Sequence, residues 1–248
     1  MTIENPLDLQ VLMTIGRIVG QTLQEMRTHL RPGITTEELD DIALAFLTQH
    51  QACSAPMLEV DFPRTTCISI NDEACHGLPG TRRVQPGDLV TLDVAAECDG
   101  YYADAAITVA VPPITPAHKR LCAAAEASLL AAIGAARVGQ SLAMVGRAAE
   151  QQAHQSGYRI VRRLHGHGIG RRMHEAPHSI PSFYHRDATY RLHDGVVLAL
   201  EPHLTTGNGR LIEHSDGWTI KTRDQKRVAV YEHTIIVTRQ QPIIVTAL

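Results

Sequence analysis

The sequence predicts a mixed α/β fold made of two similar halves. Three observations carry that expectation. Segments with apolar residues at helical spacing alternate with short apolar runs of strand character. The stretch Gly87 to Val111 sets two such runs around Asp99-Gly100, a two-residue hairpin signal. The order helix, Arg-x-Gly, helix, strand, acid-bearing strands occurs twice along the 248 residues.

Asn5-Pro6 reads as a helix start, since asparagine caps and proline suits the first turn. Val11, Leu12, Ile15, Ile18, Val19, Leu23, Met26 and Leu30 then recur at helical spacing until Arg31-Pro32-Gly33. Thr35 with Glu38 forms a capping box for a second helix through about Thr48. Ala52 to Arg64, which holds MLEVDFP, reads as an irregular loop with some strand. Thr66 to Ile70 reads as a strand, followed by a turn at Asn71-Asp72, and Pro86-Gly87 leads into the hairpin. A helix begins at Thr115-Pro116 and ends near Arg137-Val138-Gly139; another runs from about Ser141 to Gln155. Tyr158 to Leu164 reads as a strand, ahead of glycine-rich HGHGIG and a loop with Pro177, Pro181 and several histidines. Gly195 to Leu200 is a continuous apolar run ending at Glu201-Pro202. Short strands follow, with Asp216-Gly217 as a turn and VAVYEHTIIV at Val228 to Val237.

Composition narrows the function. Apolar content of 44% suits a globular core, and a net charge of -3 gives no reason to expect nucleic acid or an anionic membrane as partner. Five cysteines without a CxxC pair argue against a disulfide framework and a structural zinc site, and fit a reducing cytoplasm. MTIENPLDLQ does not read as an export signal, and no apolar run approaches the roughly 20 residues of a membrane span. Fourteen histidines direct attention to metal or acid–base chemistry.

Four acids are out of place. A turn at Asp99-Gly100 pairs Asp93 with Ala106, which puts Asp104 two residues away on the same face. The two carboxylates become diagonal neighbours, roughly 7–8 Å apart at the backbone. GDLVTLD at Gly87 to Asp93 resembles GVVLALE at Gly195 to Glu201. Asp104-x-x-Ile107-x-Val109 likewise resembles Glu232-x-x-Ile235-x-Val237. Chance likeness between apolar strands competes with a true repeat. If the repeat holds, two-fold packing brings Asp93, Asp104, Glu201 and Glu232 to one centre. No Lys or Arg stands near them in those strands, so divalent cations are the natural counter-charge. Oxygen ligands with one or two imidazoles favour Mn, Fe(II) or Co over a thiolate-type zinc site, and a paired site is hydrolase chemistry. His167, between Gly166 and Gly168, is the best imidazole candidate. His165 and His178 read as ordinary solvated loop histidines; for His76 and His174 both readings stay open.

CISINDEACHGLPG, LDVAAECDGYYAD, GHGIGRRMHEAP, ALEPHL, DGWTIKT and YEHTIIVT, spread over nearly the whole chain, resemble the motifs of type I methionine aminopeptidases. That resemblance implies the pita-bread fold, a curved, mostly antiparallel sheet covered by helices with an internal pseudo-two-fold. It implies one catalytic domain over 1–248, with halves of about 1–112 and 113–248. Asp93, Asp104, His167, Glu201 and Glu232 would bind two divalent ions (Co, Mn or Fe(II)), with Asp104 and Glu232 bridging. A metal-activated water would attack the peptide, Glu201 shuttling the proton. His174 would stabilise the oxyanion, and His76 would contact the substrate backbone. The substrate would be the N-terminal methionine of peptides and nascent chains with a small second residue, met by a cytoplasmic monomer near the ribosome.

The substrate pocket departs from the family pattern. Cys67 and Trp218 stand where the family has Cys and Trp, and Phe62 replaces another aromatic conservatively. Glu59 and Met173 occupy positions where aromatic residues are expected; Met173 still suits an apolar pocket, whereas an acid at the rim would disfavour acidic neighbours. Three other readings compete: a related exopeptidase with altered or Xaa-Pro specificity, a non-catalytic binding module on the same scaffold, and a plain α/β domain whose acids are paired by cations.

Overall fold

The computed structural model describes residues 1–247, along which five helices and many short strands alternate. Helix α1 spans Pro6–His29, and the Asn5 side chain accepts from the Leu7 and Asp8 N–H groups. Its buried stripe is Leu12, Ile15, Val19, Leu23 and Met26. Helix α2, Thr36–Gln49, opens on the Thr35/Glu38 capping box, with both reciprocal bonds made. The stretch expected to be a loop contains a third helix, α3, Ala55–Val60. Ser54 caps it, Pro56 sits in its first turn and left-handed Asp61 ends it. Six residues are too few to display a helical period, so pattern alone misses it. Helices α4, Pro116–Ala135, and α5, Leu142–Gln155, lie where the spacing puts them.

One nine-stranded sheet forms the floor of the molecule, and every pairing in it is antiparallel. Its main path runs Cys53–Ser54, Leu89–Cys98, Tyr101–Ala110, Glu232–Ile236, Val197–Leu200, His165–Gly168, Glu175–Pro181. Cys67–Ile70 also pairs with Leu89–Cys98, and Ile243–Ile244 with Glu232–Ile236. The hairpin has the expected register, Asp93 opposite Ala106 and Cys98 opposite Tyr101. Its turn residues Asp99 and Gly100 both have positive φ, as a primed two-residue turn requires. α1 and α2 pack on the first half of the sheet, joining Leu12, Ile15 and Leu39 to Ile68, Val90 and Leu92. α4 and α5 cover the second half, joining Leu129, Ile133 and Val145 to Leu198, Leu200 and Ile235.

Several expected boundaries shift. Tyr158 to Leu164 reduces to the short strand Arg159–Ile160. The run Val228 to Val237 divides at Tyr231 into Val228–Val230 and Glu232–Ile236, which enter different sheets. Glu73–Cys75 is an additional strand, paired with Ile220–Thr222. The segments read as a glycine-rich stretch and a histidine loop are strands, His165–Gly168 and Glu175–Pro181. The second lies at the end of the sheet path, where prolines without N–H groups are tolerated.

The same small arrangement occurs twice. After α1, Gly33 N–H donates to Val84 O; after α4, Gly139 N–H donates to Leu192 O. Thr35 bridges Arg83, and Ser141 bridges Arg191. Arg83 donates back to Gly33 O at 2.6 Å, and Arg191 to Gly139 O at 2.9 Å. Gly87 and Gly195, six residues before an acid in each half, both have positive φ. In each half the two acid-bearing strands pair, and the halves meet where Glu232 stands opposite Ala106.

Candidate active site

Register assembles the acids. Cys67, Asp93, Ala106 and Glu232 stand opposite one another in a row across four strands. Directly opposed residues share a face, so Asp93 and Glu232 flank the small Ala106 side chain. Asp104, two residues from Ala106, projects from the same face. The next strand sets Leu200 opposite His233, and Glu201 follows at its end. His167 comes from the strand beyond, opposite Ala199.

His167 is held by its glycines. A Cβ on Gly166 would lie 2.3 Å from Ala199 O, and one on Gly168 2.4 Å from Ala176 O. Only glycine permits that approach. The His167 Nδ1–H donates to Gly168 O at 3.0 Å, which fixes the tautomer and leaves Nε2 as an acceptor. Nε2 lies 3.9 Å from Asp104 Oδ2 and 3.8 Å from Glu201 Oε1. Ligand atoms of Asp104, His167 and Glu232 all fall within 4.8 Å of one another, and all three residues are buried.

The electrostatics of the cluster are unfavourable as it stands. Burial, reinforced by Asp104 and Asp93, raises Glu201 well above the usual carboxylate range; Asp93 and Glu232 are raised in the same way. Burial also raises Asp104, opposed by a hydrogen bond with Asp93. Burial lowers His167 to about 3, so its ring is neutral. Among the described residues no lysine or arginine forms an ion pair with the four acids. Asp104 Oδ1 and Glu232 Oε1 are buried without a hydrogen-bond partner. Orphaned carboxylate oxygens facing a neutral imidazole lone pair form the donor set of a hard or borderline divalent cation. The residues present therefore fit a metal.

Two residues around this cluster carry roles that sequence reading does not find. His203 is buried, donates Nδ1–H to Glu201 O at 2.8 Å and holds Nε2 3.8 Å from Glu201 Oε2. Burial lowers its pKa to about 4. Thr234 clasps Asp104 from the neighbouring strand: its Oγ1 accepts from Asp104 N–H and donates to Asp104 O, both at 2.9 Å. The only signal in the sequence is their place inside the motifs ALEPHL and YEHTIIVT.

Two cavities open onto the acids. One, of about 220 Å³, has an apolar wall of Pro56, Val60, Cys67, Ala95, Met173 and Trp218. Of the residues expected to bind substrate, Cys67, Met173, Trp218, His76 and His174 line it. Phe62 instead stands behind Trp218, edge-on at 5.0 Å between centroids. Glu59 lies beside Tyr102, whose phenol pKa is raised by burial and by this carboxylate, while Pro56 and Val60, one helical turn apart on α3, form the wall. That wall is invisible without α3. His174 packs 4.1 Å from His167, centroid to centroid. His76 adopts a left-handed backbone, and adjacent Gly77 would put a Cβ 2.3 Å from Ile68 O. The other cavity, of about 320 Å³, is polar and shares His76, His174 and most of the acids.

The profile of metallopeptidase family M24 matches residues 11–239. The chain belongs to metallopeptidase family M24. Methionine aminopeptidase 2 of Bacillus subtilis is 41% identical to it, each chain covered fully. A methionine aminopeptidase of Staphylococcus epidermidis is 36% identical, over 99% of this chain and 98% of its own length. The crystal structure of the methionine aminopeptidase from Rickettsia prowazekii matches with a TM-score of 0.94 at 34% identity, both chains covered fully. The fold of this M24 chain is thus the expected pita-bread fold. A prolidase from Pyrococcus furiosus, at 17% identity and a TM-score of 0.77, shares the fold alone. As an M24 metallopeptidase the chain is an enzyme that uses divalent metal, and a plain α/β domain or a non-catalytic module is set aside.

Proposed function

We propose that this chain removes the N-terminal methionine from peptides and nascent proteins with a small second residue. The observation that carries the reading is the junction of two features: a buried acid–imidazole cluster with orphaned oxygens, and an apolar cavity of side-chain size opening directly onto it. Full-length likeness to methionine aminopeptidases supports the same substrate.

Asp93, Asp104, His167, Glu201 and Glu232 are assigned to hold two divalent ions, Co, Mn or Fe(II). When bound, such ions supply Lewis acidity and lower the pKa of water toward neutrality. The chain's own groups do the rest. Cys67, Met173 and Trp218 enclose the methionine side chain and exclude water from it. Phe62 holds the Trp218 ring from behind. Glu201 accepts a proton at its carboxylate and passes it to the departing amine, while His203 fixes its orientation. His174 donates a ring N–H toward the scissile carbonyl oxygen, and His76 donates to the substrate backbone. We read the molecule as one catalytic domain over residues 1–248 with halves near 1–112 and 113–248, a monomer that meets its substrates at the ribosome. Its five free cysteines fit a cytoplasmic setting. No helix of the described residues is long and apolar enough to cross a membrane.

The test is hydrolysis of Met-Ala, Leu-Ala and Ala-Ala peptides by apo-protein given Mn, Fe(II), Co or Zn. Methionine turnover should exceed the other two clearly. Equal turnover of all three removes the methionine assignment, and cleavage of Xaa-Pro without Met-Ala replaces it with a proline-directed activity.

A further inference from the structure

The polar cavity differs from the apolar one in what surrounds its outer end. Beyond the acids it is lined by Arg163, His165, His178 and Ser179. His165 is not free for a ligand: its Nε2–H donates to Arg162 O at 2.9 Å and its Nδ1 accepts from Ser179 Oγ at 2.6 Å. Arg163 and His178 are different. Both are exposed, both line the cavity, and neither makes a side-chain hydrogen bond or ion pair among the described residues. Neighbouring Arg162, by contrast, is tied to Glu150. A permanently charged, five-donor guanidinium therefore faces the cavity uncommitted, and the His178 imidazole lines the same cavity. Methionine occupies the apolar cavity, so the remainder of the peptide leaves through the polar one. Divalent ions held by the four acids would cancel their charge, and Arg163 would then leave the outer end positive.

We infer that Arg163, with His178, binds a carboxylate on the leaving side of the substrate, making this enzyme prefer short peptides whose C-terminal carboxylate reaches that rim. The inference rests on the methionine reading above. It adds a second role for the same site: clearing methionyl di- and tripeptides as well as trimming long chains. A guanidinium–carboxylate pair at a cavity mouth acts mainly on binding, so the effect belongs in KM.

The test compares Met-Ala and Met-Ala-Ser with their C-terminal amides on the metal-loaded enzyme. The free acids should be favoured in kcat/KM by about tenfold, carried by KM, for at least one length. Arg163→Ala should abolish that preference while leaving turnover of the amides unchanged, and Arg163→Lys should restore part of it. His178→Ala should weaken the preference without changing kcat. Met-Ala-Asp-amide separates the two sources of carboxylate: it matches the free acid if a side chain serves as well, and the plain amide if only the chain end is read. Equal kcat/KM for acids and amides, or a preference that survives Arg163→Ala, overturns the inference and leaves the methionine reading intact. Failure to cleave any methionyl peptide, amide included, removes the methionine reading itself.

Discussion

Asp104 is held by a single neighbouring hydroxyl. Thr234 Oγ1 bonds both its N–H and its carbonyl, which fixes the backbone and aims the carboxylate at Glu232 and His167. The carboxylate has one oxygen without a partner, so its charge is balanced only by a cation. Asp104→Asn keeps the size and removes the charge. It should lower turnover at least a hundredfold and reduce bound metal, measured by elemental analysis after dialysis. Its metal-free form should melt no lower than wild type at pH 8, because a like charge has been removed. Wild-type activity in the variant would contradict the assignment. Ala106 makes the complementary case. It stands between Asp93 and Glu232 in register, so a larger side chain fills the space a cation needs. Ala106→Leu should fold yet bind metal weakly, seen as loss of metal-induced thermal stabilisation.

At the level of elements, close approach of strands sets the geometry. His167 reaches the acids because Gly166 and Gly168 let two neighbouring backbones come within contact distance. Gly166→Ala drives a Cβ into Ala199 O. It should cost about 1–3 kcal/mol in unfolding experiments and lower metal affinity, since the strand must move to relieve the overlap. Thr234→Val leaves the Asp104 N–H unsatisfied in the sheet, at about 1–3 kcal/mol. α3 acts differently. It contributes little buried surface, with Met57, Leu58 and Val60 exposed, yet Pro56 and Val60 on it close the apolar cavity. Exchanges there should alter the ratio of Met-Ala to Leu-Ala cleavage more than the melting temperature.

Over the whole molecule, the acids and histidines act on stability in opposite directions. Asp93, Glu201 and Glu232 have raised values, so the metal-free folded state holds more protons than the unfolded state. Its stability therefore falls as pH rises past the unfolded carboxylate range. His167 and His203, lowered to about 3 and about 4, oppose this. They destabilise the fold below the ordinary histidine value, and that penalty fades as pH rises toward 6.5. Above about pH 6.5 the histidine penalty has faded; the Met1 amine, lowered by burial to about 6, still opposes the acids up to about pH 8, but the three raised acids outnumber it. Metal-free protein should thus lose melting temperature between pH 6.5 and 8. Added Mn or Co should remove the slope, because cations neutralise the same charges. A flat metal-free profile would mean the acids are compensated by some other charge.

Much was readable from residue order. Periodicity and caps located α1, α2, α4 and α5, because long amphipathic helices carry their pattern and their ends locally. Asp99-Gly100 gave the hairpin register, and register gave the Asp93–Asp104 pair, because side chains on a regular, unbulged strand alternate between its two faces. Four acids in apolar runs announced a shared counter-charge, since burial makes each intolerable alone. What only the tertiary structure decided depends on contacts distant in sequence. The six residues of α3 show no period, the prolines of Glu175–Pro181 are permitted only by its edge position, and Tyr231 ends one strand because the flanking segments join different sheets. Thr234 and the two-sided cavity likewise arise from segments that meet across more than a hundred residues, an arrangement that no local pattern encodes, and His203 meets Glu201 only because the chain turns between their two strands.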